Sequence, residues 1–459
     1  ASEQVILTYS VMTSKGESKR PSYLINRVKQ VFPKLVVEKE EMDTSYEKIM
    51  GSDKGKSYLI SHLADGTYAK DVIWLEIASH YEKKTPGILK DLLGIREKRA
   101  GNNSLKKEAA KRLFGDVLYG SVTRFEQYVQ CPFAFFSHYG LLLNERQQYE
   151  ISSLDHGNLF HQAMEHLSHE LEQRNKNWQD LSEEEAVLLA AECVDAVAER
   201  YQGRKYFQSN RVSFMLKRLK NEVVHSVWAM WHQMQEGDFV QTYTEKGFRG
   251  NDKEWESMCI PFGEDAKICL NGVIDRVDLC SLPGEELIKI IDYKSSDSQD
   301  LLLAKVYYGL QMQLLTYLEA AKEMVEKEHK GKEAVPAAML YYAIKEKNLD
   351  WKPESEEEYE KRVLDSMKCK GYVNEEPEII GHLDKSVVNG GELIPGQKSV
   401  VVPVAVDKKG LLKKNSETLS TKDFETLIAH TKEKMKECGK AILDGKIEAI
   451  PYVYEDNDG

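Results

Sequence analysis

A chain of 459 residues, 41% hydrophobic and 30% charged, is long enough for two or three domains with proper cores and has a globular composition, which excludes a disordered chain. No apolar run approaches the roughly 20 residues that span a bilayer, and seven cysteines without framework spacing point to a reducing compartment, with the cytoplasm as the expected location. The formal net charge of −12 argues against a surface coated with nucleic-acid-binding charge, although residues 1–120 carry 21 Lys and Arg against 16 Asp and Glu. Acidic runs such as ESEEEYE at 354–360 read as solvated.

Residues 1–100 mix short strand and helix signals. VILTY at 5–9 reads as a strand, and Pro21-Ser22 as the start of an amphipathic helix. GSDKGKS at 51–57 is close to a phosphate-binding loop, but three residues separate Gly51 from Gly55 where that pattern needs four, and no apolar strand precedes it. A polar, flexible loop is expected there, and ATP hydrolysis is not. Residues 101–115 form a Gly-Asn-Ser start that runs into a basic helical connection, LKKEAAKR at 105–112.

Helical patterns dominate 121–240. In GNLFHQAMEHL at 157–167 and just beyond, Phe160, Met164, Leu167 and Leu171 share one face, with His161 at its edge and Glu165 one turn on. LSEEEAVLLAAECVDAVAERYQ at 181–202 is a long helix expected to pack over the core. QGRKYFQSNRVSFMLKRLK at 202–220 interleaves cations with Tyr206, Phe207 and Phe214, a mixture that suits single-stranded nucleic acid. A solvated helix whose aromatics face the core explains it as well.

Strands occupy about 255–295. GVIDRVDL at 272–279 and IIDYKSS at 290–296 are β-like runs joined by SLPGEE, whose Pro-Gly pair is a turn signal. Read as a hairpin symmetric about Pro283 and Gly284, this places Asp275 opposite Asp292, and directly opposed residues of an antiparallel pair project from one face. Alternation puts Lys294 on the face of Asp292 and turns Asp278 away from Asp275. Cys269 and Cys280 fall within the strand patterns and are expected to be buried thiols. YYGLQMQLLTYLEAA at 307–321 then carries Leu310, Leu314, Leu318 and Ala321 at helical spacing, flanked by Gln313 and Tyr317. PAAMLYYAIKE at 336–346 is a strand candidate beside the hairpin. The fold class is therefore α/β, with a mixed sheet flanked by helices.

Two carboxylates and an ammonium on one face match the needs of phosphodiester hydrolysis. Hard oxygen ligands hold Mg²⁺ or Mn²⁺, which activates water and polarises the phosphoryl group, while the ammonium stabilises developing charge. An isolated Asp-X-Lys is more often a solvated strand end, since short motifs recur by accident.

In order, G-X-L-X-H at His161, G-V-I-D at Asp275, D-Y-K at Asp292 to Lys294 and Q-X-X-X-Y at Gln313 and Tyr317 resemble the motif series of the RecB-like branch of the PD-(D/E)XK nuclease superfamily. SVTRFEQYVQCPFAFFSHYGLLL at 121–143, the strings at 336–346 and 367–384, and AILDGKIEAIPY at 441–452 are further similar to the nuclease domain in B subunits of bacterial AddAB helicase-nucleases. Residues 1–35 resemble the close of the helicase-like region there. The resemblance implies a helicase-like remnant at 1–100, a connection at 101–115 and a nuclease domain over 116–459.

It also implies a restriction-endonuclease-like nuclease core, with His161, Asp275, Asp292 and the main-chain carbonyl of Tyr293 as metal ligands, Lys294 as the catalytic lysine, and Gln313 and Tyr317 in support. Glu165 is a lower-ranked ligand candidate. Cys131 corresponds to one ligand of a 4Fe-4S cluster whose three further cysteines have no counterpart after residue 441. A cluster is not completable within these residues, and a truncated copy is the expected reason. The implied partners are DNA, mainly single-stranded, and the A subunit of the heterodimer, with double-strand-break processing as the task and no membrane association. A free-standing RecB-like exonuclease and a non-catalytic DNA-binding or scaffolding fragment are the alternatives.

Overall fold

The computed structural model describes residues 22–36, 52–65, 72–90, 104–143, 153–202, 210–249, 258–263, 265–295, 300–344 and 355–453, with Leu7, Tyr9 and Leu349. The chain divides into two compact units, Ala1–Gly101 and Asn102–Gly459. The first contains α1 (Tyr23–Val31), α2 (Ser52–Asp65) and α3 (Val72–Lys84). Ser22 caps α1 by accepting the Leu24 N–H. Leu59 of α2 packs with Trp74, Ala78 and Tyr81 of α3, and the Trp74 indole donates to the Leu59 carbonyl at 3.0 Å. The GSDKGKS segment is thus the start of a helix and not a flexible loop: Gly55 lies under the Tyr81 ring, so the apolar face of α2 outweighs the local glycines. Most of VILTY lies outside the described residues.

The second unit is built on an eight-stranded mixed sheet. Its strands are β1 (Val117–Gly120), β2 (Val240–Arg249), β3 (Cys259–Phe262), β4 (Ala266–Leu282), β5 (Glu285–Lys294), β6 (Glu333–Ala343), β7 (Lys370–Asn374) and, after the small β8 (Val388–Asn389) and β9 (Glu392–Leu393) hairpin, β10 (Thr418–Leu419). The order is β1-β4-β5-β6-β7-β10, with β2 and β3 also pairing with β4. β4 and β5 form the expected hairpin around Pro283-Gly284, pairing Leu282 with Glu285 and Arg276 with Ile291. β6 lies parallel beside β5, so the 336–346 string is a strand in the position expected for it.

Helices cover both faces. They are α4 (Lys107–Phe114), α5 (Val122–Gln130), α6 (Pro132–Phe135), α7 (Ser153–Gln173), α8 (Glu183–Gln202), α9 (Asn210–Gln235), α10 (Leu303–Tyr308), α11 (Gln313–Glu328), α12 (Glu356–Ser366), α13 (Pro377–Leu383) and α14 (Thr421–Leu443). One core joins Phe160, Met164, Leu167 and Leu171 of α7 with α8, α9 and the strand residues Leu287, Ile291 and Tyr293. The other joins Phe125, Leu314, Leu318 and Phe424 with Val277, Leu279, Ile288 and Ile290. Strand parity follows: odd positions of β4 face α11, even positions face α9, and in β5 the parities are exchanged.

Several sequence expectations are corrected. The helix over 307–321 is two helices, because Gly309 adopts φ +81° and ends α10, leaving Leu310 outside α11. Strands begin at Val240, not near 255. Cys269 is not a free thiol: it stands opposite Cys259 across β3 and β4, and the two form a disulfide. Cys280 is a buried free thiol as expected. In the 202–220 segment Tyr206 and Phe207 lie outside the described residues, whereas Phe214 on α9 is exposed and does not face the core.

Candidate active site

The hairpin register fixes the centre. Extending the pair Arg276–Ile291 by one step sets Asp275 opposite Asp292, and Asp275 Oδ2 accepts the main-chain N–H of Tyr293 at 2.7 Å. Both carboxylates are buried, Asp292 being 2% exposed. Gly272, three residues before Asp275, is required by close approach: a Cβ there would lie 2.8 Å from the Phe248 ring and 3.1 Å from that of Tyr317.

His161 projects from α7 toward the sheet. Its Nδ1 donates to Glu245 Oε1 at 2.9 Å and lies 3.5 Å from Asp275 Oδ1. His161, Glu245 and Asp275 each offer a donor atom within 4.8 Å of the others, the only such group among the described residues. Glu245 was absent from the sequence reading. It falls in β2 between Thr244, paired with Arg276, and Lys246, paired with Ile274, so it lies across from Asp275. Its backbone has φ +47°, a left-handed conformation that a non-glycine residue holds only when its surroundings impose it.

Asp292 belongs to a second chain of contacts. Lys294 Nζ lies 2.5 Å from Asp292 Oδ2 and donates to Gln313 Oε1 at 2.8 Å, and Gln313 Nε2 donates to the Tyr317 hydroxyl at 2.9 Å. The residues of the sequence motifs thus meet: His161 and Asp275 on one side, Asp292, Lys294, Gln313 and Tyr317 on the other, and Tyr293 between them. Glu165 is half-buried and joins no such group.

Electrostatics reflect the crowding. Burial, reinforced by Asp292, pushes the Asp275 carboxyl up to about 8. Asp292 is also raised by burial, against the pull of Lys294. Burial alone would depress the His161 imidazole, but the Glu245 hydrogen bond and the Asp275 and Asp292 charges outweigh it and raise its pKa. Three buried acids and one histidine that together disfavour their own charges make a site where a divalent cation would relieve the repulsion. The donor set, one imidazole nitrogen and carboxylate oxygens, fits Mg²⁺ or Mn²⁺.

Asp278 faces the opposite way. It is fully buried against Arg276 at 2.7 Å and Lys289 at 2.8 Å, and is a structural ion pair. Cys131, the half-buried residue that ends α5, has no cysteine cluster about it among the described residues; Cys193, Cys280, Cys369 and Cys438 are separate buried thiols. The described residues therefore do not fit an iron-sulfur cluster.

Similar proteins are ATP-dependent helicase/deoxyribonuclease subunits B. That of Lachnoclostridium phytofermentans is 33% identical over 98% of this chain, that of Clostridium perfringens 32% over 98%, and that of Caldanaerobacter subterraneus 31% over 99%. The chain spans 38–39% of the length of these relatives. The family model of the PD-(D/E)XK nuclease superfamily matches residues 120–454. With most of its length matched, sheet and motif strands included, this chain belongs to the PD-(D/E)XK nuclease superfamily.

Proposed function

We propose that this chain is the nuclease portion of a helicase-nuclease B subunit, a divalent-metal-dependent deoxyribonuclease that trims single-stranded DNA during double-strand-break repair. The observation that carries the reading is the meeting of His161, Glu245 and Asp275 with the Asp292–Lys294 pair at the hairpin end. His161, Asp275, Asp292 and Glu245 would hold the cation, with the Tyr293 carbonyl as a further oxygen. When bound, the cation polarises the phosphoryl group and lowers the pKa of water. Lys294, anchored by Gln313, orients the attacking water and stabilises charge developing on the phosphate. Asp275, held by the Tyr293 N–H, keeps the ligand geometry fixed.

A single-stranded substrate suits the surface next to α11. Tyr307 and Tyr308 end α10 with exposed rings; Tyr307 stacks on His430 at 5.2 Å, and Lys434 lies 5.9 Å from its centroid. Rings held in place beside a cation suit stacking bases and a phosphate backbone. Residues 1–100 are the end of a helicase-like region, 101–115 a connection and 116–459 the nuclease domain. The remaining partner is the A subunit named by the heterodimeric relatives' kind, and the location is cytoplasmic. No helix among the described residues is long and apolar enough to cross a membrane.

The test uses the full-length natural chain, end-labelled single-stranded DNA and Mg²⁺ or Mn²⁺. Shortening of the label that Asp292→Ala abolishes is the expected result. Intact DNA with the wild type, or equal cleavage by the variant, overturns the reading.

A further inference from the structure

The first turn of α11 has no cap of its own. Its N-cap is Met312, which is fully buried and whose side chain accepts nothing. Helix starts leave main-chain N–H groups without intrahelical partners, and burial makes an unmet donor costly. Here the acceptor comes from elsewhere in the fold. Glu126, on α5, extends its Oε1 to the N–H of Met312 at 2.5 Å and to the N–H of Gln313 at 3.1 Å. A carboxylate at a helix N-terminus also meets the positive end of the helix dipole.

Gln313 is the residue that this cap fixes. Both ends of its side-chain amide are committed, Oε1 to Lys294 and Nε2 to Tyr317. A shift of the first turn would therefore move the acceptor on which the Lys294 ammonium depends. Glu126 also lies near enough to Lys294 and Asp292 to sense their charges: burial raises its carboxyl, while the two amides and Lys294 oppose that rise. It reaches α11 from 186 residues away and makes no contact with His161, Glu245 or Asp275 in the hydrogen bonds described.

We propose that Glu126 is a positioning residue of the active site: by capping α11 it holds Gln313, and through Gln313 it holds the Lys294 ammonium against Asp292. The proposal rests on the nuclease reading above for its kinetic consequence, but the cap itself is tested without activity. Because both amides converge on one oxygen, Glu126→Gln can preserve the cap while removing the charge, whereas Glu126→Ala removes both.

The experiment compares wild type, E126A and E126Q in the full-length natural chain. Hydrogen exchange of the Met312 and Gln313 amides is followed first. Exchange is expected to quicken at these two positions in E126A, with β4 and β5 unchanged, and to stay near wild type in E126Q. Cleavage of labelled single-stranded DNA is then measured. E126A is expected to lose about tenfold or more in kcat, with KM little changed, since a small misplacement of a catalytic group is costly; E126Q is expected to recover most of it. Unaltered exchange at both amides in E126A overturns the cap. Altered exchange with wild-type kcat overturns the positioning role, as does an E126Q that exchanges like wild type yet cleaves like E126A. A wild type that cuts no DNA refutes the nuclease reading, and the exchange result still decides the cap.

Discussion

Lys294 Nζ donates to Gln313 Oε1 at 2.8 Å, tying the last residue of β5 to the first residue of α11. The bond holds a flexible four-carbon side chain in one place, 2.5 Å from Asp292. Gln313→Ala is therefore expected to lower kcat for single-stranded DNA by about tenfold, while stability changes by less than about 1 kcal/mol because one part-buried hydrogen bond is lost. Gln313→Glu keeps an acceptor for Lys294 and should retain more activity than the alanine variant. Equal kcat for wild type and Gln313→Ala would show that Lys294 needs no anchor.

Asp275 is held protonated to an unusually high pH, up to about 8, chiefly by burial. A folded-state pKa above the unfolded value of about 3.9 favours the folded state fully below that value, and the advantage disappears as pH rises through about 8. Asp275→Asn is uncharged throughout. It should therefore raise the melting temperature of the metal-free protein at pH 8–9, by an amount on the order of a few kcal/mol in stability, and have little effect at pH 4. The same substitution should abolish tight Mn²⁺ binding. In the wild type Mn²⁺ affinity should increase with pH toward 8, because Asp275 and the Nδ1 of His161 must shed protons to ligate. Calorimetric scans and Mn²⁺ titrations across that range check both, and an Asn variant that melts lower at pH 8–9 would contradict the first.

The parts of this site that were legible in sequence are those carried by local pattern. A Pro-Gly turn between two β-rich runs pins a hairpin register, and the register alone pairs Asp275 with Asp292 and sends Asp278 to the other face. The α7 stripe that presents His161 was equally clear, because Phe160, Met164, Leu167 and Leu171 are all buried on one face. β2 was not legible: its residues are mostly half-buried, so QTYTEK shows no apolar alternation, and Glu245 passed unnoticed with it. Glu126 was invisible for another reason, since its partners are distant in sequence and its own helix reads as ordinary amphipathic surface. Two signals were available and unread: Gly309 as a helix C-terminus, and Cys259 and Cys269 equally spaced about the turn near Gly263.

Glu245 combines a ligand position with a left-handed backbone at φ +47°. Conformational strain of this kind costs about 1–3 kcal/mol in non-glycine residues and persists where function requires it. Glu245→Gly removes the carboxylate and suits the backbone, so it should raise the thermal stability of the metal-free protein while weakening Mn²⁺ binding. Glu245→Gln keeps the strain and removes only the charge, and should weaken Mn²⁺ binding without that gain. If Glu245→Gly binds Mn²⁺ as wild type does, Glu245 is not a ligand.

Asp278 lies three residues from Asp275 yet should respond in the opposite direction. Its neighbours are Arg276 and Lys289, both buried, and despite its burial their charges hold its carboxyl below the ordinary range. A depressed folded pKa contributes stability above the unfolded value near 3.9, and that stability is lost as pH falls through the folded value. Asp278→Ala strands two cations inside the α9-facing core and should cost roughly 3–5 kcal/mol at pH 7, with a much shallower loss of stability in acid. Because the side chain faces away from the ligand group, folded Asp278→Ala protein at low temperature should still bind Mn²⁺ with wild-type affinity. Denaturant unfolding at pH 7 and pH 3, paired with Mn²⁺ titration, separates the two aspartates: one removes binding and stabilises the fold when neutralised, the other leaves binding and destabilises it. A stabilised Asp278→Ala, or one that is folded but blind to Mn²⁺, would mean that the strand parity assigning the two carboxylates to opposite faces does not govern their chemistry.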